Sequence, residues 1–313
     1  MRPRLLAPRF WPAWIGLGIL RLLQPLPLAA QIQIGSLLGC LVSYLPLSYV
    51  RVVRRNLELC LPELDGAERR RLLRRNFASL GVGVLETANV WWCSNESIRH
   101  MTEFVGFEHL HAGLARGRGV IVIGAHFTTM EMGARILGTV EPLNVLYRDP
   151  NNEVLAHTMR KNYAKFARRA IVPDDIRTLV RALRSNEVVW YAPDQSFRKK
   201  GAVMVKLFGI PAPTNVFTSR LARMTGAVVL PYFFERLPAA RGYRAVMLPP
   251  LENFPSDDAI ADAERYNRLL EAHIRHVPEQ YLWVHRRFKG LTAADPDYYG
   301  RDARPLPPSG LDD

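Results

Sequence analysis

Cysteine is scarce. The 313 residues hold three, Cys40, Cys60 and Cys93, odd in number and far apart. That excludes a disulfide framework or a dense thiolate metal site and fits a reducing compartment. No G-x-S-x-G elbow and no G-x-x-x-x-G-K-S/T loop occurs, which removes two familiar routes to acyl and phosphoryl transfer. GLGILR at 16–21 carries two glycines of a dinucleotide fingerprint without the third. His273 and His276 have no acidic or thiol companion, so no metal or cofactor is expected and the pair reads as a helix surface. Negative charge is absent ahead of Glu58, where seven arginines stand (Arg2, Arg4, Arg9, Arg21, Arg51, Arg54, Arg55). Between Leu22 and Val50 there is no charged residue or histidine.

What is present is a globular composition with a strong basic bias. Hydrophobic residues make up 48% and charged residues 23%, which excludes intrinsic disorder and a polytopic transporter. A net charge of +13 asks for an anionic partner: nucleic acid, membrane phosphate or an acidic protein. The uncharged run of 29 residues is long enough to cross a bilayer, which needs about 20. Pro25, Pro27 and Pro46 interrupt it, and Gln24, Gln31 and Gln33 are costly in hydrocarbon. Trp11 and Trp14 beside Arg2, Arg4 and Arg9 resemble an interfacial belt, so residues 1–50 are expected to attach to a membrane rather than span it cleanly.

From Arg51 to Cys93 the pattern is helical, with Asp65 as an N-cap and Leu72, Leu73, Phe77 and Leu80 at helical spacing. Beyond Phe107, short apolar runs at 120–124, 143–147, 187–191, 228–234, 243–248 and 281–284 alternate with helical stretches at 128–138, 153–169, 174–185 and 258–277. Strands separated by helices predict an α/β layered sandwich with a mainly parallel central sheet flanked by helices, behind a membrane-associated N-terminal helical segment. The proline- and charge-rich tail at 301–313 is expected to be loose.

Chemistry concentrates in GVIVIGAHFTTMEMGARILG. A buried strand at 120–123 runs through Gly124 and Ala125 to His126, then into a helix. Ligands gather at the carboxyl ends of strands in open α/β sheets, which is where His126 falls. Glu131 follows five residues on. With His126 in the turn and Glu131 one turn into the helix, the carboxylate can accept the Nδ1–H and leave Nε2 as a base.

Strand, then His-x-x-x-x-Glu as HFTTME (His126 to Glu131), resembles the lipid A late acyltransferases, of the wider glycerolipid acyltransferase group. RRNLELCLPEL (54–64), YRDPNN (147–152), YAPDQS (191–196), KLFGIPAPT (206–214), LARMTGAVVLP (221–231) and YLWVHRRFKG (281–290) follow in the family's order, and HFTTME looks like the lauroyl type. The resemblance implies a glycerol-phosphate acyltransferase-like domain over 51–300. It also implies transfer of a secondary fatty acyl chain from acyl carrier protein, as co-substrate, to a hydroxyl on a lipid A precursor. In that chemistry His126 would be the general base and Glu131 would fix its tautomer. The implied place is the bacterial inner membrane, with the catalytic domain on the cytoplasmic side and phospholipid as a neighbour.

The family also carries a functional arginine and an aspartate. The aspartate transfers to Asp194. Ungapped comparison puts Tyr163 at the arginine's position and Arg160 one turn earlier, so an Arg160–Asp194 pair is expected to position substrate or oxyanion. Residues 154–173 hold five cations and no acid, with Leu155, Met159 and Phe166 as an apolar stripe on one helix. Arg198, Lys199 and Lys200 after Asp194, and His285, Arg286, Arg287 and Lys289 after the last apolar run, could bind acceptor phosphates, meet the acidic face of acyl carrier protein or coat a basic surface at a membrane.

Three alternatives stand beside this reading. One is an acyltransferase for another glycolipid or glycerol phosphate, another a non-catalytic membrane scaffold. The third is a nucleic-acid-binding protein, disfavoured because no nucleic-acid module appears. His126→Ala separates them: only an enzyme loses turnover while keeping its fold, and only a nucleic-acid binder shows salt-sensitive affinity for a duplex or single strand.

Overall fold

In the computed structural model, residues 3–199, 201–292 and 294–300 are described. The expected loose tail at 301–313 and Arg2 lie outside the described residues. The chain opens with α1 (Trp11–Leu23), α2 (Leu28–Val42), α3 (Ser48–Cys60), α4 (Gly66–Trp92) and α5 (Asn95–His100). Strands and helices then alternate: β1 (Thr102–Val105), α6 (Glu108–Leu114), β2 (Val120–Ile123), α7 (Met130–Val140), β3 (Leu143–Leu146), α8 (Glu153–Tyr163), β4 (Ala167–Ile171), α9 (Ile176–Arg184) and β5 (Val188–Tyr191). The remainder comprises β6 (Ala202–Leu207), β7 (Ile210–Asn215), α10 (Phe217–Thr225), β8 (Val228–Arg236), β9 (Tyr243–Met247) and α11 (Ala259–His276).

Among the described residues, seven strands form one sheet in the order β1-β9-β8-β2-β5-β3-β4, parallel except for the β8–β9 pair. The expected α/β sandwich with a mainly parallel sheet is therefore what the chain forms. The central strands are all apolar because both faces are covered: every residue of β2 and β5 is buried. The crossovers through α7 and α8 step towards β4, whereas those through α9 and α10 step back. Right-handed connections accordingly place α7 and α8 on one face and α9 and α10 on the other. β6 and β7 stand apart as an antiparallel hairpin. Its two turn residues, Phe208 and Gly209, both have positive φ (53° and 73°), the backbone twist that a two-residue hairpin loop favours.

Local signals explain the long α4. Asp65 accepts from the backbone N–H groups of Ala67 (2.6 Å) and Glu68 (2.8 Å), and the Glu68 carboxylate accepts from the Asp65 N–H (2.8 Å). This is a capping box. α2 lies directly on α4: a Cβ at Gly39 would meet the Phe77 carbonyl oxygen at 2.0 Å, so only glycine permits that approach. Gln31 is buried in this contact and satisfied, donating to the carbonyls of Gln24 (3.0 Å) and Leu26 (2.8 Å) and accepting from Asn89 (2.7 Å).

Two sequence expectations are corrected. The helix expected over 153–169 ends at Tyr163, and residues 167–171 are a strand at the sheet edge, so Leu155, Met159 and Phe166 do not line one helix. An edge strand keeps one side open to solvent, where Arg168 and Arg169 sit exposed. The run at 281–284 joins no strand of the sheet. It crosses the turn after β2 instead, held by a single antiparallel bridge between Phe127 and Tyr281.

Among the described residues no helix is long and apolar enough to cross a membrane. The 13 residues of α1 and 15 of α2 reach about 20 and 22 Å at ~1.5 Å per residue, short of a hydrocarbon core of about 30 Å.

Candidate active site

β2 and β5 are parallel neighbours in register, with Ile123 opposite Tyr191. His126 and Asp194 each lie three residues past those paired ends. The chain leaves β2 for α7 on one face and leaves β5 towards α10 on the other, so the two loops diverge around a topological switch point.

Three hydrogen bonds hold the pair. His126 Nδ1 is 2.6 Å from Asp194 Oδ1, the His126 backbone N–H donates to Asp194 Oδ2 (3.0 Å), and the Tyr281 hydroxyl donates to the same Oδ2 (3.1 Å). The Asp194 side chain is 1% exposed and that of His126 18%, so the carboxylate lies beneath a ring that reaches solvent. Burial on its own would raise the Asp194 carboxyl. The charge and hydrogen bonds of His126, with Arg287 nearby, outweigh it and hold the group below its usual range. An ionised carboxylate on Nδ1 fixes that nitrogen as the donor and leaves Nε2 as the basic edge.

The expected bond between His126 and Glu131 is not among those formed. Glu131 accepts instead from the Tyr163 hydroxyl at 2.6 Å. Burial raises the Glu131 carboxyl, against the Tyr163 hydrogen bond and the His126 charge, both of which lower it. Glu131 therefore senses the imidazole electrostatically, while Asp194 orients it. The expected Arg160–Asp194 pair is also corrected. Arg160 is exposed on α8 and bonded to Asp149, its Nε 3.0 Å from Oδ1, whereas Asp194 is enclosed after β5. Tyr163, at the position assigned by comparison to an arginine, is the residue of α8 that reaches the His-x-x-x-x-Glu box.

The turn carrying His126 is fastened from two sides. Thr128 N–H donates to Gln280 O (2.7 Å) and Leu282 N–H to His126 O (2.9 Å). Ser79 and Thr128 share a hydroxyl hydrogen bond (2.7 Å), and Arg236 donates to Ser79 (3.1 Å) while pairing with buried Glu86 (2.6 and 2.9 Å). α4 comes close enough that a Cβ at Gly83 would meet the Thr128 carbonyl oxygen at 2.2 Å.

The basic residues expected to bind ligand divide. Arg287 is 3% exposed and donates to Pro213 O and to Thr214 Oγ1 (2.7 Å), so it holds β7 in place and cannot meet a ligand. Arg198 and Lys199 are exposed, bonded to Gly290 O (2.9 Å) and Asp174 (3.3 Å). Arg286 is exposed, its guanidinium 5.9 Å from the Tyr299 ring centroid. Lys200 lies outside the described residues.

Two histidines are placed differently from their sequence reading. His285 points inward, its Nε2 accepting the Ser196 N–H at 2.9 Å, and burial with neighbouring His126 lowers it to about 4 against the opposing pull of Asp194. His273 is not a helix surface. It stacks on Phe233 (4.7 Å) and meets Phe127 edgewise (5.0 Å), and burial lowers it to about 4. Nothing in the local pattern marked Tyr281, Tyr163 or His285, which lie in strand-like or helical text. Among the described residues no group of three or more His, Cys, Asp or Glu side chains could hold a metal ion.

A family model described as bacterial lipid A biosynthesis acyltransferase matches residues 1–290. The chain is 38% identical over 296 residues to the lipid A biosynthesis lauroyltransferase of Escherichia coli, covering 94% of this chain and 97% of that one. It is 33% identical to the palmitoleoyltransferase of the same organism, covering 94% and 96%. The myristoyltransferase of that organism is 23% identical, with 90% and 88% covered. A superposition on the crystal structure of the 1-acyl-sn-glycerophosphate acyltransferase of Thermotoga maritima covers 74% of this chain and 96% of that one, with TM-score 0.35 and 15% identity.

Proposed function

The chain belongs to the bacterial lipid A biosynthesis acyltransferase family, and on that premise we propose that it moves a fatty acyl group from acyl carrier protein to a hydroxyl of an acyl chain on a lipid A precursor. The observation that carries the mechanism is the 2.6 Å contact between His126 Nδ1 and buried Asp194 under an accessible ring.

An alcohol is a poor nucleophile at neutral pH. His126 Nε2 takes the hydroxyl proton as the oxygen attacks the thioester carbonyl carbon. Asp194 holds the tautomer and stabilises the imidazolium, and the Glu131 charge adds to that stabilisation. The tetrahedral intermediate collapses with cleavage of the C–S bond, and the imidazolium returns its proton to the departing thiolate. The oxyanion needs donors. α7 starts four residues after His126; its Met130 N–H donates to Phe127 O (3.0 Å), and no side chain caps the first turn, so the N–H groups of Glu131 and Met132 suit that role.

We place the protein on the bacterial inner membrane by its N-terminal helices, with the catalytic domain on the cytoplasmic side. Trp11, Ile15, Leu22, Leu37 and Tyr44 are 58%, 62%, 77%, 62% and 70% exposed, an apolar surface suited to lying in a lipid interface.

The test is product formation. Purified full-length protein in detergent is incubated with carrier proteins bearing several acyl lengths and a defined lipid A precursor, followed by mass spectrometry. A mass gain of one acyl group supports the reading. No gain with any carrier thioester sinks it.

A further inference from the structure

α9 carries three arginines, Arg177, Arg181 and Arg184, all exposed. At ~100° per residue they fall within about 60° of arc, opposite the buried Leu179, Ala182 and Leu183. Among the described residues none of the three joins an ion pair. Asp175 caps the helix by accepting from Thr178 N–H (3.0 Å), and its carboxyl is held below its usual range by the Thr178 hydrogen bonds first, with the charges of Arg181 and Arg177 adding to them. Beside the stripe runs an open groove of about 530 Å³, floored by Ile176, Val180 and Met224. Ile176 and Met224 are 42% and 51% exposed. The exposed apolar floor is the costly part to leave in water, and with a rim of solvated cations it matches an acidic amphipathic helix.

Topology chooses between a lipid surface and a protein. α1 packs on α4 and α8, and α2 on α4, which itself packs on α7; the apolar N-terminal helices therefore lie on the α7–α8 side of the sheet. α9 lies on the other side. A membrane touching α1 and α2 leaves the arginine stripe facing water. The first turn of α9 follows the carboxyl end of β4, the same sheet edge that bears His126. The whole stripe extends about 13 Å from that edge at ~1.5 Å per residue, and β4 stands three strands, about 14 Å at ~4.8 Å each, to the side of β2, so the flexible thioester arm must span both.

We propose that the α9–α10 groove docks the acidic carrier protein that delivers the acyl thioester. This rests on the donor named under Proposed function. The recognition is charge-led, with Arg177, Arg181 and Arg184 meeting carboxylates of one carrier helix and Ile176, Val180 and Met224 meeting its apolar side.

The experiment compares wild type, R177E/R181E/R184E, the single variant R181E and R198E/K199E/R286E, each as full-length protein. Turnover is measured with acyl carrier protein and with the same acyl group on N-acetylcysteamine, and apo carrier binding by fluorescence anisotropy. The triple α9 variant is expected to raise KM for the carrier about tenfold or more, with kcat and small-thioester turnover kept. Reversing one acid of the carrier helix to lysine should restore binding to R181E. Unchanged carrier affinity in the α9 variants overturns the proposal. So does equal loss with both thioesters, loss of anionic-vesicle binding with carrier affinity intact, or a rise in KM confined to R198E/K199E/R286E. If wild type turns over the small thioester but no carrier thioester, the donor reading fails instead, and anisotropy still decides the docking.

Discussion

Asp194 Oδ1 sits 2.6 Å from His126 Nδ1 although 68 residues separate them in the chain. Every residue of the strands leading to both is buried, so rigid sheet together with the fastened His126 turn positions the pair. Asp194→Asn keeps the shape but presents an amide to Nδ1 and favours the wrong tautomer. We expect kcat to fall about 10³–10⁴-fold with an unchanged circular dichroism spectrum. His126→Ala combined with Asp194→Asn should be little worse than His126→Ala alone, because the two act as a unit. Additive losses in steady-state assays would contradict this.

Tyr163→Phe removes the hydrogen bond that lowers the Glu131 carboxyl. Burial then acts with less opposition, and the Glu131 carboxyl rises further. An ionised Glu131 is the form that favours the imidazolium. The acid limb of the kcat profile should therefore move to higher pH in Tyr163→Phe, and an unmoved limb separates Glu131 from the reaction.

Glu86 and Arg236 form a buried pair, side chains 3% and 9% exposed, with Tyr243 also donating to Glu86 (2.8 Å). Glu86→Ala strands the guanidinium without its charge partner. The expected loss of stability is about 3–5 kcal/mol, read by urea unfolding. Since Arg236 reaches Ser79 and through it Thr128, residual activity should fall as well.

His273 and His285 are both lowered from 6.5 to about 4, chiefly by burial. The unfolded chain binds protons first as pH falls, so their contribution is complete above about pH 6.5 and is lost on descending towards pH 4. For His273 that amounts to up to about 3 kcal/mol at ~1.36 kcal/mol per unit. Asp194, held below its usual range, loses its own contribution only at lower pH. His273→Phe, placed between Phe127 and Phe233, should flatten the stability profile between pH 6.5 and 4. An unchanged slope in thermal melts would exclude His273 as its source.

Gly83→Ala adds a methyl where the Thr128 carbonyl oxygen stands 2.2 Å away. Either α4 or the His126 turn must shift. Overpacking of this kind costs about 1–3 kcal/mol, and here it should lower kcat more than it raises KM for either substrate.

Much of the frame was legible locally. Asp65 announced the start of α4, and alternating apolar runs with helical stretches gave the mainly parallel sheet, because capping and burial leave their periodicity in adjacent residues. His126 could be placed at a strand's carboxyl end for the same reason. Its carboxylate partner could not. Glu131 is near in sequence, but Asp194 is near in space, since β5 rather than β3 lies beside β2 and brings its loop to the same height. Arg287 reads like its exposed neighbour Arg286 and yet turns inward, and Tyr281 lies in strand-like text but donates to Asp194 from outside the sheet. The sequence alone determined the long helices, the buried central strands, the basic balance and the base at a strand end. Strand order, register and the burial of individual charges were decided by tertiary structure, because they depend on packing between segments that share no local pattern.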